Sequence, residues 1–219
     1  FSPHPRAAKS TIAAARIVRD AAIAAGAPKN CIGWITKPSI ELSGMLMKHK
    51  LTSCILATGG PGMVAAAYSS GNPALGVGPG NNCCIVDELA DIKDAVSSII
   101  QSKTFDYGMI CATEQSAVVV ESVYDQFVAE MKYRGCYFMT PEETEKVGKD
   151  ILPLNARGEC QVNPAIVGLN ARVIAEKAGI TVPADCPCKV LVGEADWHKI
   201  SKQYPMALEK LTTVLGLFK

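Results

Sequence analysis

Four stretches of this sequence hold residues whose types and spacing could do chemistry. In Phe105-Asp-Tyr-Gly-Met-Ile-Cys111-Ala-Thr-Glu-Gln-Ser116 a cysteine sits in a loop between a helical pattern and an apolar strand pattern. A thiol is a nucleophile when it is exposed and ionised; buried, it packs as a small inert hydrophobe. Both readings are open for any one of the nine cysteines. No histidine lies near Cys111 in sequence, but its loop falls where a domain junction is expected, and sites favour such junctions. Thr58-Gly-Gly-Pro-Gly62 follows a strand pattern and opens a helical one. Glycines there let backbone N–H groups approach a ligand, and a helix N-terminus favours negative charge. Gly60-Pro-Gly62-Met-Val-Ala65 fits a dinucleotide fingerprint in its G-x-G-x-x-A form. Pro61 interrupts that match, and a plain tight turn needing positive φ would read the same way. Gly76-Val-Gly-Pro-Gly-Asn-Asn82 is a second glycine-rich bend, either a close approach to a ligand or a bare interdomain turn. Glu209-Lys-Leu211 places a carboxylate just before an apolar strand, as a ligand group or as half of a solvated pair.

The composition around these stretches narrows the classes. With 48% hydrophobic and 20% charged residues the chain has enough apolar material for a sizeable core. A formal net charge of +1 gives no bulk attraction to nucleic acid or an anionic membrane. No apolar run approaches the roughly 18 residues a spanning helix needs. The first residues, Phe1-Ser-Pro-His-Pro-Arg6, do not resemble a signal peptide. Nine cysteines without framework spacing read as reduced cytoplasmic thiols rather than a disulfide scaffold. Cys83-Cys84 and Cys186-Pro-Cys188 lack a second pair or a histidine at zinc spacing, so no metal site is expected.

The elements that must position these groups alternate. Helical patterns cover Ala7–Ala25, Ser39–Lys48 with Ser39 as cap, Met63–Ser69, Asp91–Thr104, Val123–Arg134, Pro141–Asp150 with Thr140 as cap, and Asn170–Ala178. Short apolar runs at Cys31–Ile35, Ser53–Ala57, Ala74–Val77, Cys83–Val86, Ser116–Glu121, Lys189–Val192 and Leu215–Lys219 read as buried strands. Such alternation predicts an α/β fold, a parallel open sheet with helices on both faces, plus part of a second α/β domain. The pattern restarts after the Cys111 loop, which predicts units over 1–104 and 105–219. The chain starts without a methionine in a Pro-rich turn and ends in an apolar run, so it reads as cut from a larger protein.

Taken in order, these stretches resemble the aldehyde dehydrogenase superfamily, and within it the CoA-acylating half of the bifunctional aldehyde–alcohol dehydrogenases. The most specific piece is Ser102-Lys-Thr-Phe-Asp-Tyr-Gly-Met-Ile-Cys-Ala-Thr-Glu-Gln-Ser116, which is similar to that subfamily's catalytic-cysteine loop. Phe1-Ser-Pro-His-Pro-Arg-Ala7, Ile55-Leu-Ala-Thr-Gly-Gly-Pro-Gly-Met63 and Tyr68-Ser-Ser-Gly-Asn-Pro-Ala74 follow closely. Leu211-Thr-Thr213 departs from the Leu-Ser-Pro usual there, and residues 153–163 and 194–205 match loosely.

The resemblance implies an NAD-binding part over 1–104 and part of the cysteine-bearing catalytic domain over 105–219. It implies that Cys111 is the nucleophile of a reversible, NADH-dependent reduction of a short acyl-CoA, most naturally acetyl-CoA, to its aldehyde through a cysteine thioester. NAD would lie along His4 and Pro5 on its adenosine side and along Thr58, Gly59, Gly60 and Gly62 at the pyrophosphate. Gly78 would lie by the nicotinamide, and Glu209 would bind ribose. CoA is the implied co-substrate, and iron belongs only to an alcohol dehydrogenase half absent from this sequence. Hydrolytic relatives carry a glutamate base where this chain has Val77-Gly-Pro-Gly80 with no carboxylate, which favours CoA as acceptor. A hydrolytic NAD(P)-dependent aldehyde dehydrogenase and an assembly module for filaments of the parent enzyme are the alternatives. The implied partners are acyl-CoA and aldehyde, with a homo-oligomer or filament in the parent protein. The 219-residue piece alone is expected to turn over little.

Overall fold

Short apolar strands bury both faces only if helices cover them. The computed structural model describes residues 1–219 and realises this in two compact units, Phe1–Pro79 and Gly80–Lys219. The break falls ahead of the one expected at 104/105. Its cause is strand pairing: the strand after Gly80 pairs with the strand after Cys111, so residues 80–104 belong with the second unit.

In the first unit a short 3-10 turn, Pro5–Ala7, leads into α1 (Ala8–Ala24). Ser39 caps α2 (Ile40–Lys48), its Oγ accepting the Leu42 N–H at 3.1 Å. β1 (Ile55–Thr58) and β2 (Ala74–Val77) pair in parallel, joined by α3 (Pro61–Tyr68). Ile55, Ala57 and Ala67 form a small core on one sheet face, while Leu56 and Leu75 on the other are exposed. The strand expected over 31–35 is not formed. A strand needs a ladder partner, and this segment finds only the first residue: the Phe1 ammonium donates to Gly33 O at 2.8 Å and Ile35 N–H to Phe1 O at 2.9 Å.

The second unit is a five-stranded, all-parallel sheet. Its strands are β3 (Asn82–Val86), β4 (Glu114–Val119), β5 (Tyr137–Phe138), β6 (Leu191–Glu194) and β7 (Val214–Phe218), in spatial order β3-β4-β7-β6-β5. α4 (Ile92–Thr104) links β3 to β4; α5 (Glu121–Tyr133) and then α6 (Pro141–Ile151) and α7 (Ala171–Lys177) complete the covering. The two-residue β5 is too short for a periodic signal and was not expected from the sequence.

Two cores hold this sheet. Ile92, Val96, Ile99 and Ile100 of α4 pack with Phe127 and Met131 of α5 against β3, β4 and β7. Val147 and Ile151 of α6 and Ile174 of α7 pack with Leu191 and Val214 in the second core. Thr140 and Glu143 close a capping box at the start of α6, satisfying two N–H groups at once. No helix is long and apolar enough to cross a membrane. Phe127 is fully buried in the first core. Phe127→Ala is expected to destabilise the second unit by about 3–5 kcal/mol, read as a shift of its denaturant-unfolding midpoint.

Candidate active site

Because the sheet is parallel, β3, β4 and β7 all begin at one edge, and the segments entering them meet there. Cys111 lies in the segment entering β4 and is exposed. α4 ends at Thr104, and the next residues reverse the chain in left-handed conformations, Asp106 at φ 49° and Tyr107 at φ 52°. Non-glycine residues there cost about 1 kcal/mol or more each, so surrounding structure must hold them. One brace is Gly108, itself at φ 73°, whose hypothetical Cβ would lie 2.3 Å from Thr212 O; only glycine fits. Thr212 belongs to the segment entering β7, so the two loops touch through backbone.

The segment entering β3 grips the cysteine itself. Asn82 Nδ2 donates to the Cys111 carbonyl at 2.8 Å. A Cβ on Gly80 would come within 3.1 Å of that same oxygen, so a side chain at 80 would press on it. Gly80 N–H donates to Glu209 Oε1 at 3.2 Å, and Asn81 Nδ2 to Ala207 O at 2.7 Å. Gly80, Asn82, Cys111 and Glu209 therefore form one constellation.

Beneath it lies a buried polar cluster. Gln115 Oε1 accepts from Lys210 N–H at 2.9 Å and from Lys103 Nζ at 3.4 Å. Lys210 Nζ donates to Gln115 O and Leu208 O, each at 2.8 Å. Lys103, Gln115 and Lys210 are all fully buried. Glu114 Oε2 is buried and takes no hydrogen bond. Burial pushes the Lys103 ammonium down to about 7, against an opposing pull from the Glu114 and Glu209 carboxylates. Burial, with the Lys103 charge second, holds Lys210 well below the ordinary lysine range. Burial raises the Glu209 carboxyl, while the Gly80 N–H and then Lys103 pull it back down. Burial pushes the Cys136 thiol up to about 12 and the Cys188 thiol to about 11, which makes those two poor nucleophiles.

The remaining residues singled out from the sequence lie in the first unit. Thr58 ends β1, and the Gly59 N–H donates to Val77 O at 3.1 Å, bringing the Thr58–Gly62 turn beside the end of β2. Gly78 follows directly, so Thr58, Gly59, Gly60, Gly62 and Gly78 gather at the carboxyl ends of two parallel strands. α3 starts there from Gly60 with no side-chain cap; Pro61 has no N–H and the Met63 N–H donates to Gly60 O at 3.0 Å, which leaves the Gly62 N–H of the first turn for an anion. His4 and Pro5 sit at the opening 3-10 turn, where His4 Nδ1 accepts the Arg6 N–H at 3.2 Å. No hydrogen bond joins either residue to the glycine turn.

Sequence reasoning missed Asn82, Lys103, Gln115 and Lys210. One signal was present. Lys103 continues the buried stripe of α4 at helical spacing from Val96, Ile99 and Ile100, which marks a lysine pointing inward.

The sequence pattern of the aldehyde dehydrogenase family matches residues 1–148. The bifunctional aldehyde-alcohol dehydrogenase AdhE of Escherichia coli K12 is 52% identical over 219 residues, covering 100% of this chain and 24% of that protein. Among solved structures, an acetylating aldehyde dehydrogenase from Geobacillus thermoglucosidasius superposes with a TM-score of 0.90 at 52% identity, over 100% of this chain and 46% of that one. A propionaldehyde dehydrogenase from Rhodopseudomonas palustris with bound propionyl-CoA superposes at 0.82 with 31% identity, over 100% and 46%. The chain thus spans about a quarter of the curated relative and about half of the solved chains.

The buried Lys103 has a consequence for stability. The unfolded chain keeps this proton to the ordinary lysine value of 10.5, the folded chain only to about 7. Between those values the unfolded state binds more protons, so this group makes stability rise with pH. Denaturant midpoints across that window should rise more in the native sequence than in Lys103→Met.

Proposed function

The chain belongs to the aldehyde dehydrogenase family, and on that footing we propose that the protein containing it is a CoA-acylating aldehyde dehydrogenase. The reaction is reversible, NADH-dependent reduction of a short acyl-CoA, acetyl-CoA first, to its aldehyde. The observation that carries this reading is the exposed Cys111 thiol, held by its own carbonyl to Asn82 on a loop braced from two sides.

In this mechanism the Cys111 thiolate attacks the acyl-CoA carbonyl. The carbon–sulfur bond to CoA breaks, CoA leaves as thiolate, and the acyl group stays as a thioester on Cys111. NADH supplies the hydride that reduces that thioester. Collapse returns the electron pair to the Cys111 sulfur and frees the aldehyde. Asn82 and Gly80 fix the backbone of the nucleophile throughout. The uncapped start of α3, with Thr58, Gly59, Gly60 and Gly62, would hold the cofactor pyrophosphate. Gly78 would lie by the nicotinamide, Glu209 would take a ribose hydroxyl, and His4 and Pro5 would flank the adenosine. Of the two units, the first then carries the adenosine, pyrophosphate and nicotinamide contacts, and the second the nucleophile and Glu209. The parent enzyme would work as a homo-oligomer or filament.

CoA rather than water ends the cycle because no carboxylate stands in Val77–Gly80 to activate water. Acid formation from aldehyde without CoA would instead favour a hydrolytic enzyme. In the whole enzyme, Cys111→Ala is expected to abolish both acyl transfer and aldehyde release while leaving NADH binding intact, checked by CoA-release assay and cofactor titration. Retained activity would move the role to another cysteine. Glu209→Ala is expected to raise KM for NADH about tenfold or more, the cost of one hydrogen bond to a charged group, with a smaller change in kcat.

A further inference from the structure

The buried cluster under the cysteine contains a lysine that the mechanism leaves unused. Lys103 projects from the last turn of α4 and is fully buried. Its Nζ has one hydrogen-bond partner, the neutral amide oxygen of Gln115 at 3.4 Å, and no ion pair closes on it. A buried ammonium so thinly solvated is costly, by several kcal/mol even after relaxation. An uncharged residue of the same length would fill the space at lower cost.

Charge explains the position better than packing. The charged groups that act on the Lys103 ammonium are the Glu114 carboxylate of β4 and, from the segment entering β7, Glu209 and the second buried lysine, Lys210. Lys210 has two carbonyl acceptors of its own, through Gln115 O and Leu208 O, and needs no carboxylate. Glu209 has one donor among the chain's hydrogen bonds, the Gly80 N–H at 3.2 Å. Gln115 Oε1 fixes the geometry, since it binds Lys103 Nζ and the peptide N–H of the residue next to Glu209.

We infer that Lys103 is a positioning residue for Glu209: anchored on Gln115, its buried charge holds the Glu209 side chain as the carboxylate that accepts the Gly80 N–H. The use of that carboxylate for cofactor ribose rests on the function proposed above; the coupling between the two side chains does not. The sign is fixed by the charges. Burial favours protonated Glu209 and Lys103 opposes it. Removing the Lys103 charge must therefore move Glu209 protonation to higher pH.

The test uses the whole enzyme and two readouts. The first is cofactor-free: the Glu209 carboxyl titration by 13C NMR on glutamate-labelled protein, its signal identified by loss in Glu209→Gln. Lys103→Met, which fills the buried space without charge, is expected to raise that midpoint by about one pH unit. Lys103→Gln is the second variant should methionine perturb the fold. An unchanged midpoint in a folded variant overturns the inference. The second readout is KM for NADH against pH. Its rise on acidification is expected to move upward with the carboxyl midpoint in Lys103→Met and to vanish in Glu209→Gln. A purely structural role for Lys103 would raise KM equally at every pH and leave the inflection in place, which also overturns the inference. If the carboxyl midpoint moves but KM for NADH ignores Glu209→Gln, the coupling stands and the ribose role of Glu209 falls.

Discussion

The amide oxygen of Gln115 takes two donors from opposite sides, and the loop that carries Cys111 is closed by that arrangement. Lys103 lies before the loop and Gln115 after it, so their contact staples its base. The second donor, the Lys210 N–H, ties the same atom to the segment carrying Glu209. Gln115 Nε2 turns back to Thr113 O at 3.0 Å and fixes the amide's orientation. One side chain thereby sets the mutual position of the thiol loop and the carboxylate segment. Replacing it with an apolar residue would leave the buried Lys103 ammonium and the Lys210 peptide N–H without that acceptor, a heavier penalty than losing an ordinary hydrogen bond.

Two buried lysines in a domain of this size need a physical reason, because desolvating a cation costs several kcal/mol. They are satisfied differently. Lys210 makes two short hydrogen bonds to main-chain carbonyls and acts as a rivet between β4 and the segment entering β7. Lys103 makes one long hydrogen bond, and the Glu114 and Glu209 carboxylates only partly offset the burial that pushes it down to about 7. The well-bonded lysine fixes structure; the poorly bonded one is left able to respond to its surroundings.

The alternation of helix and strand was legible in the sequence because period and length carry it: Val96, Ile99 and Ile100 stripe α4, and Ala117–Val119 is uniformly apolar. The boundary between units was not legible, because it depends on which strand pairs with which. β3 and β4 pair across a whole helix, and no local pattern announces that partner. The apolar run at 31–35 failed for the same reason: its residues suit a strand, but only Phe1 offers it hydrogen bonds. Within the site, Cys111 and Glu209 could be singled out by residue type and loop resemblance. Asn82 could not, since its role is a contact to a carbonyl 29 positions away. Lys103 could have been, as a charge on an apolar stripe.

The site's strain is distributed in a way that couples its parts. Asp106, Tyr107 and Leu211 all sit at positive φ near 50°, two in the loop before Cys111 and one just after Lys210. Each costs about 1 kcal/mol or more, a cost met only if neighbours over-determine the backbone. Here the strained turns brace each other where Gly108 lies against Thr212 O. Neither can relax without displacing the other, and the segment beyond Thr212 is β7, the central strand, fully buried between β4 and β6. Relaxing the cysteine loop would therefore mean shifting the middle of the sheet. Cys111, on an exposed loop, thus inherits the rigidity of the core, while its thiol stays open to solvent.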